Sequence, residues 1–227
     1  MFENKVTAAT ATTHTIERER SVLETNKVLK NTYILLSLSL GFSAVMAYVF
    51  RFSAPINPWV FLGGFIGLSF LAQMLCRSVW GIAAVFAFTG FVGYAIGPII
   101  GMFLQTAAGT SIVANALGGT AAIFLGLSGY ALMTKKDFSF LRGFITAGAI
   151  VLMIAVVMSL IFDIGGFSLA ISCGFMLFAS ALILFQTGQI INGGETNYIL
   201  ATITLYASIY NLFISLLHIF MALSGDD

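Results

Sequence analysis

Charged residues are scarce in this 227-residue chain: Asp, Glu, Lys and Arg together make up 8% of it, whereas hydrophobic residues make up 59%. A soluble domain of this length needs far more charge to cover its surface, and this composition is typical of a polytopic membrane protein. The composition therefore excludes a soluble globular domain. The formal net charge of +1 gives no electrostatic reason for binding nucleic acid, and we expect no nucleic-acid partner.

Cysteine and histidine are also rare, with two of each in the chain. Cys76 and Cys173 lie in or beside apolar runs and form no CxxC pair, so no disulfide framework is indicated. His14 and His218 are too far apart to form a ligand pair, and the sequence has no cluster of Cys, His and carboxylates. It also lacks HExxH, GxSxG and a glycine-rich phosphate loop. We therefore expect no enzyme activity, no bound metal and no cofactor.

Long apolar runs fill the chain after residue 31, and each is close to the ~20 residues that a helix needs to cross the hydrocarbon core. The seven runs lie at 32–50, 58–75, 80–104, 111–133, 141–162, 166–191 and 198–223. Because the connections are short, neighbours in sequence should be antiparallel neighbours in space. We predict an all-α membrane protein with a seven-transmembrane helix bundle over 32–224, preceded by a flexible tail over 1–31 whose residues 16–30 could form a surface helix.

The distribution of Lys and Arg predicts the orientation of these spans. One side would hold nine of the ten basic residues and the other side only Arg51. The first side is then cytoplasmic, with the N-terminal tail on it and the C-terminus on the periplasmic side. We expect no cleavable signal peptide, so that the first span acts as its own insertion signal. The nine residues are Lys5, Arg18, Arg20, Lys27, Lys30, Arg77, Lys135, Lys136 and Arg142.

The last run carries small and polar residues at steps of three and four, which places them on one face of a helix. Unpaired polar groups are costly in hydrocarbon, so this face should turn away from lipid and the helix should be surrounded by others. The members of this stripe are Ala201, Thr204, Ser208, Asn211, Ser215, His218 and Ala222.

Two other spans carry stripes of small residues, which let helix backbones approach closely in a membrane. The third span has Thr89, Gly93, Gly97 and Gly101 at intervals of four. The fourth has Asn115, Gly119, Ala122, Gly126 and Gly129 on a comparable stripe. We predict that both stripes are helix-packing faces.

The polar residues inside the last two spans are mostly neutral, and they are the candidate functional residues. Gln186 and Gln189 share one face of the sixth span, and with residues of the seventh they could form an interhelical hydrogen-bond cluster. Such a cluster could hold the helices together or line a polar passage. His218 could also be a simple packing or interfacial residue. The candidate central polar cluster is Gln186, Gln189, Ser208, Asn211 and His218, and the polar hinge before the last span contains Gly193, Gly194, Glu195 and Asn197.

Three segments carry a resemblance to a known family. The run LFQTGQIINGGETNYILATITLYASIYNLFISLLHI resembles the C-terminal signature of the Bax inhibitor-1 (transmembrane BAX-inhibitor-motif) family. VFAFTGFVGYAIGPII, at 85–100, resembles that family's third-span motif, and NKVLKNTYILLSLSLGFSA, at 26–44, is similar to its bacterial YccA-like branch. The likeness covers nearly the whole membrane domain, and GGETNYI and FAFTG are its most specific parts.

The resemblance implies a seven-helix bundle with the C-terminal helix central. Family members are proposed to be pH-sensitive calcium leak channels or suppressors of cell death. The YccA-like branch is instead associated with the membrane-bound AAA+ protease FtsH, as its substrate and modulator. Proteases of this type engage a flexible cytoplasmic end, and the tail could serve this purpose, with Met1, Lys5, Glu17, Arg18 and Arg20 among its residues.

This sequence departs from the calcium-conducting relatives at one important pair. Those relatives carry facing aspartates on the sixth and seventh helices, and the matching positions here are Gln186 and Ser208. Two nearby carboxylates can sense pH because like charges raise one pKa, whereas Gln and Ser do not titrate. Calcium also prefers charged oxygen ligands. The leading hypothesis is therefore a multi-pass inner-membrane modulator and substrate of FtsH in membrane-protein quality control. A calcium or proton leak channel is the alternative.

Overall fold

A computed structural model describes the backbone of residues 2–106, 108–161 and 167–225, and the side chains of 23–106, 108–159 and 168–225. The described chain is entirely helical, without β-strands, and contains seven α-helices. They are α1 (Phe2–Val49), α2 (Pro58–Met74), α3 (Gly81–Leu104), α4 (Gly109–Thr134), α5 (Leu141–Ile161), α6 (Phe167–Ile191) and α7 (Tyr198–Leu223). The all-α, seven-helix prediction is confirmed, and the bounds of α2 to α7 lie within two residues of the predicted runs.

Six of these helices contain a segment that is long and apolar enough to cross a membrane. The exception is α2, which is apolar but has 17 residues, the lower end of the length that can span the hydrocarbon core. Asn57 caps α2 by accepting a hydrogen bond from the backbone N–H of Trp59, and Pro58 occupies the first turn. Proline is tolerated there because that N–H has no partner within the helix.

Helix α1 differs from the predicted run because it extends far beyond the apolar segment. Its membrane-spanning part is Leu23–Val49, whereas the predicted run begins at residue 32. Val28 and Leu29 pack against the core of the bundle, so the apolar contacts of α1 begin inside the segment predicted as a tail. The flexibility of residues 1–31 and their separation from 32–224 stay predictions.

The C-terminal helix α7 is the centre of the bundle. It packs against α1, α2, α3, α4 and α6, while α5 packs only against α6 in the described part of the chain. Ala201, Ser208 and Ser215 of the predicted stripe are buried, and the apolar faces of α7 are buried as well, including Leu205 and Leu212. The prediction of a central last helix is therefore confirmed, although burial extends well beyond one stripe.

The glycine stripe of α3 is the surface on which α1 packs. A Cβ added at Gly97 would lie 2.8 Å from the carbonyl oxygen of Ala47, and one added at Gly93 would collide with the backbone of Ser43. A Cβ added at Gly101 would collide with the backbone of Arg51. Since only a residue without a Cβ permits this approach, the predicted packing role of this stripe is confirmed.

The predicted stripe of α4 was wrong for most of its length. Asn115 is exposed, and added Cβ atoms at Gly126 and Gly129 would meet nothing within 4 Å; only Gly119 faces α7, through Leu216. The buried face lies beside the predicted one and carries β-branched and polar residues as well as alanine. Small residues in a membrane helix can also face lipid, which is why spacing alone selected the wrong face. The buried residues are Gly109, Ile112, Val113, Ala116, Thr120, Ser128 and Ala131.

The connections lie at two faces of the bundle. The N-terminal face is formed by 75–80, 135–140 and 192–197, together with the start of the membrane-spanning part of α1. The C-terminal face is formed by the connections after α1 and α3 and by the end of α7. All the Lys and Arg residues with described side chains lie at or near the N-terminal face except Arg51.

Candidate functional site

The polar hinge between α6 and α7 is a well-formed helix cap. Gly193 has a φ of +74°, a left-handed conformation that glycine adopts without steric cost. Its N–H donates to the carbonyl oxygen of Ile190 (3.3 Å), and the N–H of Gly194 donates to that of Gln189 (2.8 Å). This pair of bonds is the Schellman motif, which satisfies the last carbonyl groups of a helix. The glycines therefore end α6 and reverse the chain towards α7.

Asn197 begins α7 and also ties it to another loop. Its side-chain Oδ1 accepts hydrogen bonds from the N–H groups of Ile199 (2.9 Å) and Leu200 (3.3 Å), as an N-cap does. Its Nδ2 donates to the carbonyl oxygen of Cys76 (3.1 Å), in the connection between α2 and α3. The carboxylate of Glu195 accepts from the N–H of Asn197 (2.7 Å). One side chain thus fixes both the start of α7 and its position against α2 and α3.

The connection between α4 and α5 contacts the segment from Gly188 to Asn197, which joins α6 to α7 and which we call the junction. Asn192 donates from Nδ2 to the carbonyl oxygen of Lys136 (3.1 Å), and Gln189 donates from Nε2 to the hydroxyl of Ser139 (3.4 Å). Phe138 is buried against Gly188 of α6, where an added Cβ would lie 2.7 Å from the ring. The three connections of the N-terminal face are therefore joined by direct contacts to the end of α6 and the start of α7.

This junction sits within an electropositive surface. Six exposed cations surround it, against two exposed carboxylates and the half-buried Glu195. The pKa of Asp137 lies below its usual value of 3.8, chiefly because its carboxylate accepts hydrogen bonds from the hydroxyl and the N–H of Ser139, and also because of nearby Arg142. Asp137 is therefore ionised at neutral pH, where it orders the loop and offsets only part of the positive charge. The exposed cations are Lys27, Lys30, Arg77, Lys135, Lys136 and Arg142.

Gln186 and Ser208, the two positions that the family resemblance matches to an acidic pair, are both buried. The hydroxyl of Ser208 donates to the carbonyl oxygen of Thr204 in its own helix (2.8 Å), and no hydrogen bond joins it to Gln186 among the described residues. Neither side chain carries a charge, and the described residues contain no group of three or more His, Cys, Asp or Glu that could hold a metal ion. These two positions thus offer a cation no charged ligand.

Asn211 and His218 lie elsewhere, in a pocket between α2, α5, α6 and α7 towards the C-terminal face. The pocket has a volume of about 290 Å³. Nδ1 of His218 lies 3.3 Å from the hydroxyl of Ser172 in α6, and Ser215 donates to the carbonyl oxygen of Asn211 (2.7 Å). The pocket is neutral and rich in hydroxyls, so it suits a small polar ligand or water better than a bare cation. Its polar lining is Ser159, Ser168, Ser172, Asn211, Ser215 and His218.

The five residues of the predicted cluster are therefore distributed over the depth of the membrane. Gln189 belongs to the junction at the N-terminal face, Gln186 and Ser208 lie inside the bundle, and Asn211 and His218 line the pocket. Their functional roles stay predictions. Of the predicted tail residues, Met1 lies outside the described part, and only the helical backbone is described for Lys5, Glu17, Arg18 and Arg20.

Sequence reasoning missed a second set of buried polar residues. Tyr206 of α7 shares a hydrogen bond with Ser43 of α1 (2.6 Å) and donates to the carbonyl oxygen of Thr89 in α3 (3.3 Å). Thr202 donates to the carbonyl oxygens of Tyr198 (2.7 Å) and Thr32 (3.4 Å). These residues lie off the predicted stripe, and the available signal was their polarity within otherwise apolar runs.

Comparison with known proteins agrees with this architecture. Residues 25–225 match the sequence pattern of the family described as "Inhibitor of apoptosis-promoting Bax1". A relative from Pseudomonas aeruginosa, described as uncharacterized, is 56% identical, with 90% of this chain and 93% of the relative covered. "Modulator of FtsH protease YccA" of Escherichia coli K12 is 47% identical, with 91% of this chain and 94% of the relative covered. The same protein from another Escherichia coli strain is described as "Inner membrane protein YccA".

Proposed function

The chain belongs to the family described as "Inhibitor of apoptosis-promoting Bax1", and from this premise we propose that it is an inner-membrane modulator and substrate of an FtsH-type AAA+ protease. The observation that carries this proposal is the 47% identity to "Modulator of FtsH protease YccA", which extends over 94% of that relative. A likeness of this extent leaves no large segment of the relative without a counterpart. The proposed role is regulation of membrane-protein quality control.

Two features of the molecule support the proposal. The helix that begins at Phe2 enters the bundle at the N-terminal face, so the residues before Leu23 would be presented to a protease at this face. The exposed cations there outnumber the exposed carboxylates, and the positive-inside rule would place such a face in the cytoplasm. The hydrogen-bonded junction of three connections gives this face a fixed shape, which a resistant substrate needs if it is to occupy a protease.

Removing residues 1–20 behind a new initiating Met tests the role of the tail. If the protease engages this end, the truncated protein should have a longer half-life in membranes that contain FtsH, and it should slow degradation of other substrates by competing for the enzyme. A chain with residues 2–20 in scrambled order, of equal length and composition, is the control and should be degraded at the original rate. An unchanged half-life of the truncated protein would exclude the tail as the engaged end.

A leak pathway for calcium or protons is the second candidate, and the polar pocket beside Asn211 and His218, which suits water better than a bare cation, favours its proton form. If such a pathway exists, liposomes that contain the purified protein should release calcium or protons faster than liposomes without protein. Gln186→Leu should reduce this flux. Because Gln186 and Ser208 carry no carboxylate, we expect no calcium flux above that of liposomes without protein. Equal flux from liposomes with and without the protein, at pH 6 and at pH 7, would reject this candidate and would leave the protease proposal intact.

A further inference from the structure

A deep groove separates α1 from α4 on the outside of the bundle. Their backbones do not come together in the described part of the chain, and the gap forms a cavity of about 700 Å³ whose floor comes from α3 and α7. On the side of the N-terminal face, the rings of Tyr33 in α1 and Phe124 in α4 lie with their centroids 6.0 Å apart, so side chains of the two helices meet there. Small residues widen the α1 wall, where Gly41, Ala44 and Ala47 succeed one another.

The lining of this groove is suited to hydrocarbon. Aliphatic and aromatic side chains dominate it, including Ile96, Val113 and Leu117. Three of its five hydroxyls are engaged within the protein: Ser43 bonds to Tyr206, and Thr120 donates to the carbonyl oxygen of Ala116 (2.7 Å). A polar ligand would find few free hydrogen-bond partners there, whereas an apolar chain needs no hydrogen bonds.

The length of the groove matches that of a lipid acyl chain. The lining runs along α1 from Leu40 to Tyr48 and continues to Arg51 in the turn after the helix, which at about 1.5 Å per residue is about 17 Å. This length is roughly half of the ~30 Å hydrocarbon core, or one leaflet.

A single cation stands at the mouth of the groove on the C-terminal face. The guanidinium carbon of Arg51 lies 3.9 Å from the ring centroid of Tyr48 and 4.4 Å from that of Phe52, and Nη1 donates to the carbonyl oxygen of Tyr48 (2.6 Å). This geometry holds the group in place while one of its five N–H donors is used. Guanidinium groups bind phosphate through pairs of N–H donors, and the remaining N–H groups of Arg51 are available for this.

We propose that this groove binds an anionic phospholipid of the leaflet at the C-terminal face, with an acyl chain between α1 and α4 and the phosphate of the headgroup on Arg51. Arg51 supplies the charge complement, and the groove opens sideways to the bilayer that contains the ligand. Such a lipid would fill the space that separates α1 from α4 and would stabilise their arrangement around α7.

A tryptophan in the groove can report which lipid occupies it. The parent protein would carry Leu117→Trp with Trp59 and Trp80 replaced by Phe, in vesicles of phosphatidylcholine to which brominated phosphatidylglycerol or brominated phosphatidylcholine is added. Bromine quenches the tryptophan only at close range. We expect at least twofold stronger binding of the brominated phosphatidylglycerol, falling towards equality as the salt concentration rises. Equal quenching by both lipids in the parent would overturn the proposal.

Variants separate the headgroup contact from the groove. Arg51→Gln should abolish the preference for phosphatidylglycerol, whereas Arg77→Gln, which removes an exposed cation at the opposite face, should leave it unchanged. An equal loss with Arg77→Gln would show an effect of net charge alone and would overturn the assignment to Arg51.

Filling the groove tests the acyl-chain site. Gly41 has no atom within 4 Å of an added Cβ, so Gly41→Phe can enter the groove without a backbone collision. This variant should reduce quenching by both lipids. Two controls should leave quenching unchanged: Gly41→Ala, and Gly118→Phe, which places the same side chain at an uncrowded glycine outside the groove. Full quenching with Gly41→Phe, in protein whose helical circular dichroism is unchanged, would contradict the acyl-chain site.

Discussion

The side-chain amide of Asn197 lies 3.1 Å from the carbonyl oxygen of Cys76, 121 residues away in the sequence. This hydrogen bond joins the start of the central helix α7 to the connection between α2 and α3. The same side chain caps α7 through two backbone N–H groups. Asn197 is therefore the residue through which helix initiation and the assembly of the N-terminal face depend on each other.

Asn197→Ala should lower the free energy of unfolding by about 1–3 kcal/mol, because it removes an N-cap and a hydrogen bond between connections. Asn57→Ala is the matched control, since Asn57 caps α2 from an exposed position through one bond to Trp59, and its cost should be smaller, about 1 kcal/mol. Asn197→Asp keeps the cap acceptor but loses the donor to Cys76, so it should fall between Ala and wild type. Unfolding in mixed detergent micelles measures all three, and equal costs for Asn197→Ala and Asn57→Ala would contradict the dual role.

Gly97→Ala should separate α1 from α3 and destabilise the bundle by about 1–3 kcal/mol, the usual cost of overpacking. The added Cβ would lie 2.8 Å from the carbonyl oxygen of Ala47 and 3.0 Å from that of Phe50, and neither backbone atom can move aside as a flexible side chain would. Gly63→Ala is the control, because nothing lies within 4 Å of its added Cβ. It should be neutral or slightly stabilising, as alanine is the better helix former. Equal thermal stability of the two variants would show that this contact is not restrictive.

Thr187→Val should leave stability unchanged or raise it. The hydroxyl of Thr187 is buried without a hydrogen-bond partner among the described residues, and replacing an unpaired buried polar group by an isosteric apolar one is nearly free of cost. Thr202→Val should instead cost about 1 kcal/mol, because its hydroxyl donates to the carbonyl oxygen of Tyr198. A larger loss for Thr187→Val than for Thr202→Val, measured by unfolding in the same micelles, would contradict this order.

Asp137 should make the α4–α5 connection sensitive to acid. Its pKa is below 3.8 in the folded protein because its carboxylate accepts hydrogen bonds from Ser139. A depressed folded pKa stabilises the fold above the unfolded value, and this stabilisation is lost as the pH falls from about 4 through the folded pKa. Ser139→Ala should raise the pKa of Asp137 towards its usual value, which side-chain NMR titration would detect. An unchanged pKa in Ser139→Ala would show that the hydroxyl does not contribute.

The positions of most helices were predictable because each apolar run is a local property of the sequence. Length and hydropathy predicted the bounds of α2 to α7 within two residues, and the strict four-residue spacing of Gly93, Gly97 and Gly101 predicted the face that α1 covers. The same reasoning selected the wrong face of α4, since Gly126 and Gly129 follow an equally regular pattern but face open space. Spacing defines a face of a helix, and only the neighbours decide whether that face is covered.

The polar hinge before the last helix was recognisable in the sequence, but its contacts were not. The sequence alone determined an all-helical membrane protein and a polar hinge before the last helix. The tertiary structure decided that Asn197 reaches Cys76, that Asn192 reaches Lys136, and that α1 and α4 leave a groove ending at Arg51. Hydropathy and helix periodicity act over a few residues, whereas these contacts depend on how the helices pack together, which no short segment of the sequence specifies.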